Sequence, residues 1–230
     1  MKSTAKLSCD ERRAAIIKAV RKVFAEKGFH GTTTRELAEA AEVSEALLFK
    51  HFPNKEALYS AMMLSCCQEK DEGMAGRLMA LEPSASTLVL MVHLLVSHML
   101  VRRSEAAGDE TPQVRLMLRS MLDDGEFARL FLQGMPSHWV RKVEECIKAA
   151  VAAGDAVDGP VVPSLRGWFA HDLVAMLTIH LFPAKPVVDY GVSREKLVEQ
   201  AVWFALRGMG LREEAIQRYY NPKALALFPS

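Results

Sequence analysis

Side chains that suit phosphate and base contacts are concentrated between residues 33 and 55. Thr33, Thr34 and Ser44 supply hydroxyl groups, and Lys50 and Lys55 supply positive charge. Proteins direct hydroxyls, amines and backbone N–H groups at phosphate oxygens, and a lysine can also donate to guanine O6 and N7. The chemistry that this segment can carry is therefore recognition of a nucleic acid.

Three predicted helices position these residues. The apolar stripe of residues 10–27 predicts the first helix, which Gly28 ends. Thr33 and Glu36 have the spacing of a capping box, which predicts a second helix to about residue 41. Ser44 is a candidate N-cap for a third helix over residues 45–51. The short connection "EVS" between the last two predicts a helix-turn-helix.

Helical geometry separates two faces of the third helix. Leu48 and Phe52 are four residues apart, share a face with Val43, and are expected to pack on the first two helices. The opposite side is left free to enter a major groove. On that side Glu45 can accept from cytosine N4 and Ala46 can contact a thymine methyl group. Phe49 and Lys50 also lie on or near this face.

The rest of the chain also reads as helices, and strand signals are nearly absent. Half of the 230 residues are hydrophobic, which is enough for a sizeable core. The predicted class is all-α, with an N-terminal three-helix bundle containing the helix-turn-helix and a larger C-terminal helical domain. We place the boundary between residues 1–58 and 59–230. The remaining helices are predicted at about 54–81, 84–104, 112–122, 124–153, 163–182, 193–209 and 212–220.

Charge and cysteine content indicate the setting. The formal net charge is +1, but residues 1–58 hold eleven Lys and Arg against eight Asp and Glu, a mildly basic balance. The four cysteines form no CxxC motif and read as reduced thiols of a cytoplasmic protein. The apolar stretch 87–101 is too short to cross a bilayer, which needs about 20 residues, so a buried helix and no membrane contact are expected.

The segment "IIKAVRKVFAEKGFHGTTTRELAEAAEVSEALLFKHFPNKEAL", residues 16–58, resembles the N-terminal DNA-binding domain of the TetR family of transcriptional regulators. The resemblance implies an operator-binding regulator. It departs from the family pattern at Glu42, where Gly is usual in the turn, and at Leu47 and Phe49, where a small hydroxyl residue and Tyr are common. With the hydroxyl groups noted above, the implied DNA contacts are Thr33, Thr34, Arg35, Ser44, Glu45, Ala46, Leu47, Phe49, Lys50, His51 and Lys55.

The resemblance also implies a homodimer and a small-molecule effector. Two half-sites of an inverted-repeat operator would each receive one helix-turn-helix. The late helices, 164–182 and 193–211, are candidates for an intermolecular four-helix bundle, although both can instead be internal core. Candidate interface residues are Trp168, Leu173, Leu177, Leu197, Ala201 and Phe204. A mostly apolar effector is expected among the Met-rich middle helices, and its candidate contacts are Met91, His93, His98, Met121, Trp139 and Trp168.

An enzyme is not indicated. No nucleotide-binding or nucleophile motif occurs, and no cofactor is expected. His93 and His98 lie about 140° apart on a helix and do not form an i, i+4 metal-binding pair. Asp124 is better explained as an N-cap of the helix that follows it. The alternative to a repressor is a ligand- or partner-binding helical module whose helix-turn-helix no longer reads DNA, because of Glu42, Leu47 and Phe49.

Overall fold

A computed structural model of the chain describes residues 8–68, 74–102 and 111–225. Within these ranges the regular structure is helical, with one isolated antiparallel bridge between Ala156 and Leu211, which confirms the predicted all-α class. The helices are α1 (Cys9–Lys27), α2 (Thr34–Ala40), α3 (Glu45–His51), α4 (Lys55–Gln68), α5 (Met74–Ala80), α6 (Ala85–Ser97), α7 (Thr111–Leu122), α8 (Glu126–Gln133), α9 (Met135–Ala152), α10 (Pro163–Leu181), α11 (Arg194–Gly208), α12 (Glu213–Tyr219) and α13 (Pro222–Leu225).

The helices pack into two compact units. The N-terminal unit consists of residues 8–68 and 111–134, and the C-terminal unit of residues 74–102 and 135–225. In the first, α1 packs against α2, α4 and α7, and α8 packs against α4 and α7. In the second, α6 packs against α9 and α11, and α9 packs against α10. The predicted boundary after residue 58 divides DNA binding from ligand binding and dimerisation, and it remains a prediction. By packing, α4, α7 and α8 belong to the same unit as the helix-turn-helix.

Local signals explain how α1 begins and ends. The Ser8 hydroxyl accepts from the Glu11 amide while the Glu11 carboxylate accepts from the Ser8 amide, which is a complete capping box. Val20 and Phe24 lie on the buried face. Gly28 has a φ of 72°, and its amide donates to the Phe24 carbonyl at 2.8 Å, so glycine ends the helix where a side chain would be strained.

One predicted helix, 124–153, is two helices in the structure. α8 ends at Gln133, α9 begins at Met135, and Gly134 lies between them. Pro136 explains the break, because proline has no N–H and its ring clashes with the carbonyl four residues earlier in a continuous helix. The same proline is well placed in the first turn of a new helix. The prediction was wrong here because it gave Pro136 no weight.

The start of α8 also differs from the expectation. Asp124 is not the N-cap, because Gly125 takes that position with a left-handed φ of 72°. The turn at Gly125 brings the Asp124 carboxylate within reach of the Glu126 amide, which donates to it at 2.8 Å. Asp124 thus binds a first-turn amide, as a capping residue does, but from one position further out.

α6 ends in a change of helical form. Regular α-helix stops at Ser97, and His98–Arg102 continue as a π-helical turn. The side chain of Arg194, at the start of α11, donates to the Leu100 carbonyl within this turn at 2.6 Å. None of the described helices is both long enough and apolar enough to cross a membrane.

Candidate nucleic-acid interface

The turn between α2 and α3 uses a left-handed residue. Glu42 has a φ of 53°, and no other non-glycine residue in the described ranges has a positive φ. The Val43 amide then donates to the Ala38 carbonyl at 3.0 Å and closes the turn. Glu42, at the position where the resemblance expects Gly, thus has a left-handed backbone. For a residue with a side chain, this left-handed conformation costs about 1–2 kcal/mol relative to the right-handed one. The turn therefore carries strain.

α3 is anchored on one side and capped at both ends. Leu48 and Phe52 are 2% and 1% exposed, as predicted. The Ser44 hydroxyl accepts from the Leu47 amide at 3.2 Å, which confirms Ser44 as the N-cap. At the other end, Arg13 donates to the His51 carbonyl at 2.6 Å and lies over the Phe52 ring at 4.1 Å.

The role of Arg13 was not predicted. It lies on α1, far from α3 in sequence, and its spacing from α3 carries no recognisable signal. A guanidinium at the C-terminal end of a helix satisfies a free carbonyl and complements the helix dipole. Arg13 therefore fixes the end of α3 to α1.

The opposite face of α3 is open. Glu45, Ala46, Phe49 and Lys50 are exposed, while Leu47 and His51 are partly buried. The structure thus brings together the side chains predicted to read bases. A short helix with one face fixed in a core and the other exposed has the geometry needed to enter a major groove.

Two of the predicted DNA-contacting residues are bonded to each other. The Thr34 hydroxyl donates to the Glu45 carboxylate at 2.9 Å. This bond orients the carboxylate at the start of α3 and occupies the hydroxyl proton that was predicted to meet a phosphate. Arg35, also exposed, pairs with Glu39 at 2.9 Å on the same helix. Such surface pairs are weak, about 0–1 kcal/mol, and can exchange for a phosphate contact.

Lys55 has a structural role in addition to the predicted phosphate contact. Its amine donates to the carbonyls of Phe29 and Thr32, at 2.8 and 2.9 Å, and lies 4.3 Å from the centre of the Phe29 ring. It therefore holds the loop between α1 and α2 in place. Two of its three donors are used, and the third could make the predicted phosphate contact.

The N-terminus of α2 is fixed by a further bonded group. Thr33 is the N-cap, and the Glu36 carboxylate accepts from both the amide and the hydroxyl of Thr33, as the predicted capping box requires. Lys27 also bonds this carboxylate. The hydrogen bonds from Lys27 and Thr33 lower the pKa of Glu36 to about 2. The Thr33 side chain is therefore turned toward its own helix start.

The predicted effector contacts do not all lie together. Met91, His93 and Trp139 are buried in the C-terminal unit, and His98 and Trp168 are partly buried there. Met121 is exposed and belongs to the N-terminal unit, so it does not share a core with the other five. Sequence placed it with the others only because of its type. Burial of His93 lowers the pKa of its imidazole.

The predicted dimer contacts are divided in a similar way. Ala201 is only 5% exposed and packs in the core of its own unit, so it leaves almost no surface for a partner. Phe204 is 70% exposed, and Trp168, Leu173, Leu177 and Leu197 are partly buried. Sequence reasoning missed an exposed apolar row along α10, formed by Leu165, Phe169 and Met176.

An N-capped helix that is packed on one face, free on the other and joined to its predecessor by a tight turn defines a helix-turn-helix protein. Residues 16–62 match the family described as bacterial regulatory proteins, tetR family. This segment of the chain therefore matches the TetR family.

Curated relatives agree with this assignment over part of their length. The HTH-type transcriptional regulator RutR of Escherichia coli K12 is 42% identical over 65 residues, which cover 27% of this chain and 31% of RutR. UidR of the same strain, also an HTH-type transcriptional regulator, is 30% identical over 116 residues, covering 47% of this chain and 57% of UidR. The matches therefore span less than two thirds of these relatives.

Solved structures share the fold over most of the chain. A crystal structure of AibR in complex with isovaleryl coenzyme A and operator DNA has a TM-score of 0.62, at 21% identity, with 84% of this chain and 97% of AibR covered. The flavonoid-responsive regulator FrrA has a TM-score of 0.57, also at 21% identity, with 87% and 95% covered. At these identities the likeness concerns the fold.

Proposed function

We propose that this protein is a homodimeric transcriptional repressor that binds an inverted-repeat operator and is released from it by a small, mostly apolar effector. The observation that carries the proposal is α3: Leu48 and Phe52 hold one face in the core, and Glu45, Phe49 and Lys50 are exposed on the other. Relatives that match part of the chain at 30% identity or more, RutR and UidR, are named as transcriptional regulators.

Base recognition is assigned to the exposed face of α3. Lys50 is the donor for guanine, and the Glu45 carboxylate, already oriented by Thr34, is the acceptor for a cytosine amino group. Phe49 is 40% exposed and adds apolar contact with sugar rings or thymine methyl groups. The operator should therefore combine a G·C pair opposite Lys50 with a thymine near Phe49.

Dimerisation is assigned to an apolar face on the late helices. Leu165, Phe169 and Met176 recur at helical spacing on α10, and all three are exposed, as is Phe204 on α11. Large apolar side chains gathered on one surface of a protein mark an interaction site. A two-fold axis through this face would make it self-complementary and would place two helix-turn-helix elements on one operator.

Effector binding is assigned to the C-terminal unit. The core around α6 contains Met91, with Met79 and Met99 packed against it, and flexible thioethers adapt to apolar ligands of different shapes. An effector that binds one conformation of the dimer better than the DNA-binding one shifts the population and releases the operator. The protein would carry out this function in the cytoplasm.

The test is selection of binding sites from random duplex DNA with the full-length chain. The proposal expects enrichment of an inverted repeat, an affinity that falls steeply as salt rises, and a Lys50→Ala variant that loses preference at particular base pairs. Lys148→Ala is the matched control, because it makes the same change at an exposed lysine of α9, outside the helix-turn-helix.

A different result would favour the alternative. If no inverted repeat is enriched at low or moderate salt, the helix-turn-helix does not read sequence, and the chain is a ligand- or partner-binding module. Such a result would first implicate two features of the structure, the left-handed backbone of Glu42 and the hydrogen bond between Thr34 and Glu45.

A further inference from the structure

Two buried polar atoms in the C-terminal unit have no hydrogen-bond partner among the described residues. They are Nδ1 of His93 on α6 and the hydroxyl of Tyr220, the residue that follows α12. The two side chains are 6% and 7% exposed, and their ring centres are 5.8 Å apart. A buried polar group left unpaired is destabilising by about 1–3 kcal/mol. Two such atoms on neighbouring rings indicate a site that a further polar group completes.

Both groups are uncharged. Burial lowers the pKa of His93, and burial together with the nearby Glu199 raises the pKa of Tyr220 to about 12, so near neutral pH the first is an imidazole and the second a phenol. Burying an ion beside two neutral groups would leave its charge without a counterion. The ligand group that fits here is therefore polar but neutral.

Hydrogen-bond capacity narrows the chemistry further. The other nitrogen of His93, Nε2, lies 3.4 Å from the Ser97 hydroxyl, and either atom can be the donor. Depending on that choice, Nδ1 is an acceptor or a donor. A hydroxyl group both donates and accepts, so it can bond Nδ1 in either tautomer and the Tyr220 phenol at the same time.

The helix that carries His93 has an unusual form next to the site. Ser97 is the last α-helical residue of α6, and the π-helical turn begins at the next residue. π-Helical turns are rare and are concentrated at functional sites. The neighbouring core contains Met91 and, packed against it, Met99. Methionine side chains are flexible, so those beside the turn can rearrange around a ligand.

We propose that His93 and Tyr220 form a binding site for the hydroxyl group of a small, largely apolar alcohol or phenol. The proposal rests on the effector-responsive function above, and it names the chemical class of the effector and the two residues that recognise it. Tyr220 comes from the C-terminal end of the fold, so ligand binding would join α6 to α12 through one hydroxyl.

The test uses phenol and benzene as probes, because they differ only in the hydroxyl. Binding to the full-length protein, without DNA, is measured by NMR titration, with the imidazole nitrogens labelled. We expect phenol to bind more tightly than benzene and to shift the Nδ1 resonance of His93. The Tyr220→Phe variant should weaken phenol binding about 3- to 10-fold, the range for one neutral hydrogen bond, and leave benzene binding unchanged.

Tyr219→Phe is the matched control, because its hydroxyl bonds Asp155 instead. Equal affinities for both probes, an equal effect of Tyr220→Phe on both, or no binding of either would overturn the assignment. If Tyr220→Phe changes only the stability of the free protein, the polar atoms hold a buried water and not a ligand, which also overturns it.

The proposed function is tested separately by operator binding. A chain that discriminates phenol through Tyr220 but enriches no operator retains the site and loses the regulatory role. A chain that binds an operator but treats both probes alike retains the regulatory role and loses the site.

Discussion

The strained turn of the helix-turn-helix gives the most direct test of the structure. Replacing Glu42 with Gly should stabilise the N-terminal unit, because Glu42 has a φ of 53° and glycine occupies this region without a steric penalty. The strain removed is about 1–2 kcal/mol. Glycine also increases the conformational freedom of the unfolded chain, which offsets about 0.4–1 kcal/mol. The expected net gain is about 0.5–1 kcal/mol.

Hydrogen exchange measures this gain within the N-terminal unit. The Val43 amide bonds the Ala38 carbonyl and the Leu48 amide bonds the Ser44 carbonyl, so exchange at these amides requires the turn or α3 to open. In Glu42→Gly both should exchange about two to five times more slowly than in the native protein, the ratio that corresponds to 0.5–1 kcal/mol. Operator affinity should be retained, because the backbone already has the shape that glycine favours.

Two control variants separate backbone strain from other effects. Glu42→Ala removes the same carboxylate and keeps the strain, so it should leave exchange unchanged. Ala40→Gly changes the last residue of α2, whose backbone is helical, so it adds about 0.4–1 kcal/mol of freedom to the unfolded chain without removing strain and should speed exchange. Faster or unchanged exchange in Glu42→Gly, with the expected behaviour of Ala40→Gly, would show that the turn is not strained and that our reasoning about it is wrong.

Three further substitutions probe the contacts described above. Lys55→Met leaves two loop carbonyls unpaired and should destabilise the N-terminal unit by about 1–3 kcal/mol, as measured by urea unfolding. It should also weaken binding to all DNA sequences alike. An unchanged stability would contradict the structural role of the amine. Phe204→Ser should remove about 2 kcal/mol of apolar burial per subunit, and should therefore raise the dimer Kd by roughly three orders of magnitude in sedimentation experiments. Val187→Ser, at a similarly exposed residue, should leave the Kd unchanged. Equal effects of the two substitutions would argue against the proposed dimer face. Glu36→Gln should lower the stability at pH 7 relative to the native protein. The difference should shrink as the pH falls from about 4.5 toward 2, because a carboxyl whose folded pKa is lowered stabilises the fold only while it is ionised. A stability difference that does not depend on pH would show that the ionised carboxylate is not its cause.

The helix-turn-helix could be predicted because its signals are local. Thr33 lies three residues before Glu36, Ser44 lies three before the amide that it caps, and Leu48 lies four before Phe52. Each of these spacings is a property of the helix itself, so it can be read without knowledge of the rest of the fold.

The contacts that hold the helix-turn-helix in place could not be read in this way. Arg13 reaches the end of α3 from α1, and Lys55 reaches back to the loop that contains Phe29. Lys55 was assigned to a phosphate from its sequence position, and the spacing of Arg13 from α3 carried no signal. Only the folded arrangement shows that backbone carbonyls already occupy some of their donors.

The late helices show a second limit, which is geometric. Residues 193–209 are apolar over a broad stripe, and a helix of this kind can use one side for its own core and another for a partner. The stripe contains both Ala201, which is buried in its own unit, and Phe204, which points outward. Periodicity identifies the residues of the stripe but does not assign each one to the core side or to the partner side, because both sides are apolar. The division follows from which neighbours α11 packs against, and α6 takes the side of Ala201 and Val202. Phe204 is left exposed on α11, as Phe169 is on α10, and these are side chains that the proposed dimer would cover.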